Sequence, residues 1–134
     1  MIVTDRGVLP DDGPLTPLAE AGEGTGLRVL AEPDADPQAL LAASNRYDLI
    51  AVRFGRFSDG RGFSLARRLR DLGYAGRLRA VGWLIPDQYA FARACGFDEV
   101  SVEDATHARH GADVWAAAKG RAAPPFARRR ALSG

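Results

Sequence analysis

The stretch that decides the fold is DLIAVRFGRFSDGRGFSLARRLRDL, residues 48–72. It opens with a near-continuous apolar run from Asp48 to Phe54, which is typical of a strand covered on both faces of a sheet. A glycine-rich segment follows, and apolar residues then recur at helical spacing from Ser64 to Leu72. The stretch therefore predicts a strand, a short loop and a helix in succession, which is the repeating unit of a parallel α/β sheet.

The rest of the chain alternates in the same way. Strands are predicted over residues 2–4, 27–31, 78–84 and 97–102, and helices over residues 36–45, 87–95 and 104–119. Asp36, which is followed by Pro37, and Asp87 predict the N-caps of two helices. Gly73 and Gly96 predict where two helices end, because glycine readily adopts the left-handed conformation of a helix C-terminus.

The predicted order of strands and helices indicates one α/β domain over residues 1–119, with about four βα units around a parallel sheet. Residues 1–26 are expected to be partly loop, and residues 120–134, which contain Arg128-Arg129-Arg130, to form a mobile basic tail. We expect an open sheet of the doubly wound type, with helices on both faces; the alternative is a half-barrel that dimerises. In either architecture, ligands bind at the carboxyl ends of the strands.

Composition limits the class of protein. A chain of 134 residues with 46% hydrophobic residues is long enough for one well-packed domain. No apolar run approaches the roughly 20 residues of a membrane span, and the first residues lack the basic and apolar blocks of a signal peptide. The single cysteine, Cys95, excludes an internal disulfide. These features predict a cytoplasmic protein that does not enter a membrane.

Charge is distributed unevenly, although the formal net charge is only +1. Residues 1–60 carry five arginines and ten acidic residues, whereas residues 61–134 carry thirteen basic and seven acidic residues. Eight arginines fall between positions 53 and 79. This cluster indicates either a surface that faces an anion or an acidic partner, or the solvated face of a helix.

The glycine-rich loop is the candidate site. A loop that leads into a helix N-terminus presents unpaired backbone N–H groups, Gly60 and Gly62 allow close approach, and the Arg61 guanidinium suits an oxyanion. The predicted ligand-binding residues are Asp59, Gly60, Arg61, Gly62 and Ser64, joined by Asp87 and Gln88 after the next strand if the two strands are neighbours. Two of these have a structural alternative, with Asp59 capping the helix and pairing with Arg61, and Asp87 acting only as an N-cap.

Other chemistry has less support in the sequence. Gly60-Arg61-Gly62 is not a dinucleotide-binding fingerprint, because Leu65 stands where that motif needs its third glycine. Cys95 is predicted to be a buried core residue, and one thiol cannot hold an iron–sulfur cluster, so a redox role would need a diffusible cofactor or a partner's metal centre. His107 and His110 are expected to be a solvated pair, so no metal site is predicted. Apart from Phe126, the tail lacks interleaved aromatic residues, which argues against nucleic-acid binding.

Residues 57–64, FSDGRGFS, resemble the core signature of a bacterial family of unknown function. Further matches are Ala66-Arg67, Leu69-Arg70, Gly76, Leu78-Arg79-Ala80, Gly82, Asp87-Gln88 and Arg93-Ala94-Cys95-Gly96-Phe97-Asp98. The resemblance covers about residues 45–103. Two positions depart from the family pattern, since Trp83 stands where members usually carry an acidic residue and Pro86 where they often carry a basic one.

Members of that family are commonly described as oxidoreductases of sulfite reduction, because their genes lie beside those of assimilatory sulfite reductase. The resemblance implies an accessory protein of sulfite reduction. Its loop would bind a small oxyanion, or an acidic part of sulfite reductase or of another sulfur-assimilation enzyme. The alternatives are a non-catalytic docking module and a small oxidoreductase that uses a diffusible flavin or nicotinamide. No catalytic residue and no cofactor is assigned.

Overall fold

The structure, a computed structural model, describes residues 1–55, 60–84 and 86–102. The described strands are β1 (Ile2–Thr4), β2 (Gly7–Leu9), β3 (Thr16–Pro17), β4 (Leu27–Ala31), β5 (Tyr47–Phe54), β6 (Arg77–Gly82) and β7 (Glu99–Val102). The described α-helices are α1 (Pro37–Ala42), α2 (Arg61–Asp71) and α3 (Tyr89–Cys95), and 3₁₀ turns occupy Leu18–Glu20, Ser44–Arg46 and Pro86–Gln88. The predicted helix at 104–119 and the predicted tail at 120–134 lie outside the described residues.

The strands form one open sheet in the order β2-β1-β7-β6-β5-β4-β3. Strands β3 to β7 run parallel to one another. Strands β1 and β2 extend the sheet beyond β7 by antiparallel pairing. The predicted α/β architecture with an open, mainly parallel sheet is confirmed.

The three described helices lie on one face of this sheet. Strands β4 to β7 follow one another in chain order without a reversal, and right-handed crossovers that all step in one direction return over the same face. Helix α2 accordingly packs between α1 and α3. The expected helices on the second face have no counterpart within the described ranges, because a doubly wound sheet needs a reversal of strand order that these strands lack.

A strap formed by residues 10–15 crosses the second face. It connects β2 at one edge of the sheet to β3 at the opposite edge. The Asp12 carboxylate accepts hydrogen bonds from Arg79 of β6, at 2.8 and 3.1 Å, and from Arg28 of β4. Arg79 Nε also donates to Glu99 of β7 at 2.7 Å. The region predicted to be partly loop therefore contributes two edge strands and an ionic contact across the sheet.

The core lies between the helices and the sheet. The rings of Phe54, Phe63 and Phe97 form a cluster with centroids 4.7 to 6.4 Å apart. Leu49 and Ala51, on the opposite side of β5, are also fully buried. Both faces of β5 are thus covered, as the continuous apolar run predicted.

The ends of the helices follow most of the local signals in the sequence. Asp36 caps α1, since its Oδ1 accepts from the Gln38 N–H at 3.0 Å. Gly73 and Gly96 adopt positive φ values of 105° and 113° just after α2 and α3. The prediction for Asp87 was wrong: α3 begins through a 3₁₀ turn, and its N-cap is Gln88 in helical conformation without a side-chain cap.

Candidate anion site at the carboxyl edge of the sheet

Helix α2 starts close to the carboxyl end of β5 and three residues before the predicted Ser64. Its N-cap is Gly60, whose φ of 89° lies in the left-handed region. The Gly60 carbonyl accepts from the N–H groups of Phe63 and Ser64 at 3.1 and 3.3 Å. Arg61 therefore holds the first helical position, where the helix dipole favours an anion. Asp59 lies outside the described residues, so its role stays a prediction.

Gly62 is needed for packing inside the protein. It is buried, and a Cβ at this position would lie 2.5 Å from Cζ of Phe54. The close approach expected at Gly62 is therefore made by an aromatic ring of β5. At Gly60 the reason for glycine is different. A Cβ there would meet nothing within 4 Å, but the positive φ is a conformation that other residues rarely adopt.

An open cleft of about 390 Å³ lies between α2 and the chain that leads into α1. It is lined by Arg61, Ser64, Leu65 and Arg68 of α2 and by Pro33, Asp34, Ala35 and Pro37 across from them. We call it the α1–α2 cleft. Arg61, Ser64 and Arg68 are exposed and lie at spacings of three and four residues, so they share one face of the helix. The structure thus brings two of the predicted site residues together and adds Arg68.

The other predicted residues do not line this cleft. Asp87 and Gln88 lie in the turn after β6. Strands β5 and β6 are neighbours, as the prediction required, but the α1–α2 cleft opens on the side of α2 that faces α1, whereas the turn leads into α3 on the other side. The binding role of Asp87 and Gln88 therefore stays a separate prediction.

Several arginines of the predicted cluster are structural. Arg70 is 3% exposed and donates to the carbonyls of Gly96, at 2.7 and 2.9 Å, and of Gly76, at 2.8 Å. Arg79 is 2% exposed and bound to Asp12 and Glu99, and the Arg79 hydrogen bond holds the pKa of Asp12 well below its usual range. These side chains join helices and strands, so they are not available to a ligand.

Other arginines remain on the surface of α2. Arg67 and Arg68 are exposed, and neither makes an ion pair with a described residue. Of these two, Arg68 lines the cleft and Arg67 does not. Arg53, by contrast, pairs with Glu32 at 2.8 Å. Among the described members of the cluster, the exposed arginines without an ion pair therefore lie on α2, a smaller surface than the run of arginines suggested.

Sequence reasoning missed Arg68 and the opposing segment 33–37. A predicted helix that began at Arg61 instead of Ser64 would have indicated, from their spacing, that Arg61, Ser64 and Arg68 share one face. The opposing wall carries no local signal, because it comes from the end of a different βα unit. Its position depends on the pairing of β4 with β5.

Cys95 is buried, as predicted, and burial raises the pKa of its thiol. No cluster of three or more His, Cys, Asp or Glu side chains suited to a metal occurs within the described residues. His107 and His110 lie outside them. Over the same ranges, no helix has the length and apolarity needed to cross a membrane.

Fold and site together define a small α/β domain with a cationic cleft at the carboxyl edge of an open sheet. The chain belongs to the family described as bacterial protein of unknown function (DUF934), which it matches over residues 28–122. This confirms the resemblance to a bacterial family of unknown function. No curated protein and no solved structure matches the chain.

Proposed function

We propose that the protein is a small accessory protein of assimilatory sulfite reduction that holds sulfite, or a related oxyanion, in the α1–α2 cleft. The observation that carries the proposal is the alignment of Arg61, Ser64 and Arg68 on one face of α2, opening into the cleft. The sulfite context is supported by the resemblance of residues 57–64 and the segments after them to proteins whose genes lie beside those of sulfite reductase.

The chemistry of these groups suits an oxyanion. Guanidinium groups donate in a planar fork that matches the oxygens of sulfite, sulfate or phosphate, and the Ser64 hydroxyl adds a donor between the two arginines. The first turn of α2 adds its dipole, which contributes about 0.3–1 kcal/mol for an exposed anion. Most of the affinity must therefore come from Arg61 and Arg68. Because both are exposed, binding should weaken as salt is added.

Calorimetric titration of the full chain with sulfite, sulfate and phosphate tests the oxyanion site. We expect Arg61→Gln and Arg68→Gln each to weaken binding several-fold. Arg67→Gln is the matched control, because Arg67 is also exposed on the same helix but does not line the cleft. Equal losses in all three variants would indicate a general charge effect and would overturn the proposed site.

The link to sulfite reduction needs its own test. Purified sulfite reductase can be assayed with and without the protein, with Arg68→Gln and Arg67→Gln as the matched pair. We expect wild type and Arg67→Gln to change the rate or the sulfite KM, and Arg68→Gln to have a smaller effect. No effect of wild-type protein at low and at physiological salt would contradict the proposed role.

A second candidate is a docking module for an acidic protein, and one observation favours it. Phe91 of α3 is 54% exposed, and its ring contacts Phe63 with centroids 4.8 Å apart. An exposed aromatic side chain on the helix next to α2 is typical of a protein contact. If docking is the function, Phe91→Ser should abolish binding of the protein to purified sulfite reductase in a pull-down experiment. The same substitution should leave oxyanion binding unchanged.

A further inference from the structure

The α1–α2 cleft is shaped for more than an inorganic ion. We propose that its ligand is an organic anion, a phosphate or sulfate monoester whose body lies against the α1 side of the cleft. The inference rests on the proposed function, because it assigns a ligand class to the same site. Its evidence is the size of the cleft, the chemistry of its two walls and the position of one carboxylate.

The size of the cleft exceeds what a sulfite ion needs. Its volume of about 390 Å³ falls within the range of pockets that bind small organic molecules, roughly 300–1,000 Å³. A sulfite or phosphate ion between Arg61 and Arg68 would fill a small part of this space. The remainder can take a ring or a sugar.

The two walls of the cleft differ in chemistry. The α2 side presents Arg61, Ser64 and Arg68, which are cationic or hydroxylic, together with the apolar Leu65. The opposite side is largely apolar, with Pro33, Ala35 and Pro37. A monoester matches both walls, since its oxyanion faces the guanidinium groups and its body covers the apolar residues. Covering apolar area adds binding free energy that an inorganic ion cannot gain.

The Asp34 carboxylate further limits the class of ligand. Its side chain lines the α1 side of the cleft, is exposed, and makes no hydrogen bond or ion pair with a described residue. A carboxylate there repels an oxyanion nearby and accepts hydrogen bonds from a hydroxyl or ring N–H. The anionic end is therefore placed towards α2, and a hydroxylated or N–H-bearing body is favoured on the side of Asp34.

The cavity at the opposite edge of the sheet offers a contrast. It is larger, at about 770 Å³, and also contains arginines. Its Arg77 and Arg93 already donate to Glu99 and Asp5, at distances of 2.7 to 3.2 Å. A ligand oxyanion at Arg77 or Arg93 would compete with carboxylates of the protein. It would meet no such competition at Arg68 of the α1–α2 cleft, nor at the exposed Arg6 of the larger cavity, since neither makes an ion pair with a described residue.

The test is a calorimetric comparison on the full-length chain. The probes are adenosine 5′-monophosphate, 4-nitrophenyl phosphate and 4-nitrophenyl sulfate, set against inorganic phosphate, sulfate and sulfite. We expect at least one ester to bind about tenfold or more tightly than the matching inorganic ion, since its body covers apolar area. Arg68→Gln should lower that ester affinity, and Arg67→Gln should leave it within about twofold because surface charges off the site act weakly.

Comparing the affinities of 4-nitrophenyl phosphate and 4-nitrophenyl sulfate shows which class of ester the cleft prefers. If the inorganic ions bind as tightly as every ester and depend on Arg68, the inference fails and the oxyanion site stands. If an ester binds in an Arg68-dependent manner but sulfite neither binds nor competes, the inference stands and the sulfite role fails. If Arg67→Gln and Arg68→Gln lower ester affinity equally, binding is nonspecific and the inference is overturned.

Discussion

The ring of Phe54, at the end of β5, lies directly against the backbone of Gly62, in the first turn of α2, so closely that a Cβ at position 62 would be 2.5 Å from Cζ. Phe54 is itself held between Phe63 and Phe97. This contact fixes where the helix N-terminus sits above the sheet. The position of Arg61 at the carboxyl edge follows from it.

Gly62→Ala should therefore destabilise the protein. Alanine is favoured over glycine in a helix by about 1 kcal/mol, but overpacking a buried contact costs about 1–3 kcal/mol, and the held Phe54 ring cannot move away freely. We expect a net loss of free energy of unfolding, measured by urea denaturation. Ser64→Ala on the same helix is exposed and should be nearly neutral. A Gly62→Ala variant as stable as wild type would contradict the close contact between Phe54 and Gly62.

Gly60→Ala should destabilise for a conformational reason alone. A side chain there would meet no atom within 4 Å, but φ is 89°, and a left-handed conformation costs an L residue about 1–2 kcal/mol. Gly55→Ala is the control, because that position also has open space and no positive φ. Urea denaturation should show a loss for Gly60→Ala and none for Gly55→Ala. Equal stabilities would contradict the assigned backbone at Gly60.

Arg70→Met should cost about 3 kcal/mol, the size typical of removing one member of a buried polar cluster. The substitution keeps an apolar stem but leaves the Gly96 carbonyl, which accepts two hydrogen bonds from Arg70, without its donor. Arg67→Met on the exposed face should change stability by less than about 0.5 kcal/mol. Chemical denaturation of both variants measures the difference, and equal losses would place Arg70 among the surface arginines.

Stability should fall in acid partly through Asp12. Hydrogen bonds from Arg79 and Arg28 lower its folded-state pKa, so it contributes stability above the unfolded-state value of about 3.9, and this contribution is lost as the pH falls towards the folded-state pKa. Asp12→Asn should lower Tm at pH 7, and the gap to wild type should narrow below about pH 4. Asp34→Asn, which breaks no described ion pair, should show no such trend. A Tm difference between wild type and Asp12→Asn that does not change with pH would contradict the ionic contact of Asp12 with Arg79 and Arg28.

Local patterns predicted the local structure well. The apolar run before Phe54 predicted a strand covered on both faces, and Asp36 followed by Pro37 predicted the start of α1, because these signals act within a few residues. The one-face arrangement of the helices was not predictable in this way. It depends on strand order, and sequence signals for individual elements do not encode order.

The roles of the arginines depend on contacts between distant parts of the chain. Arg79 bonds to Asp12 and Arg93 to Asp5, residues 67 and 88 positions away. No window of sequence links such pairs, so the cluster could not be divided into structural and exposed members beforehand. The candidate site was predicted at Arg61 and Ser64 but not at Arg68. With the helical pattern predicted from Ser64, Arg61 was assigned to the loop and was not placed on one helix face with Arg68.

The central claim is that an oxyanion binds at the N-terminal face of α2, and the most direct measurement is an amide NMR titration of the full chain with sulfite. We expect saturable shifts greatest for the backbone amides of residues 61–64 and of the facing residues 34–35, and we expect Arg68→Gln to reduce them while Arg67→Gln does not. Saturable shifts centred on the opposite edge of the sheet, or no saturable shift at all, would contradict the claim.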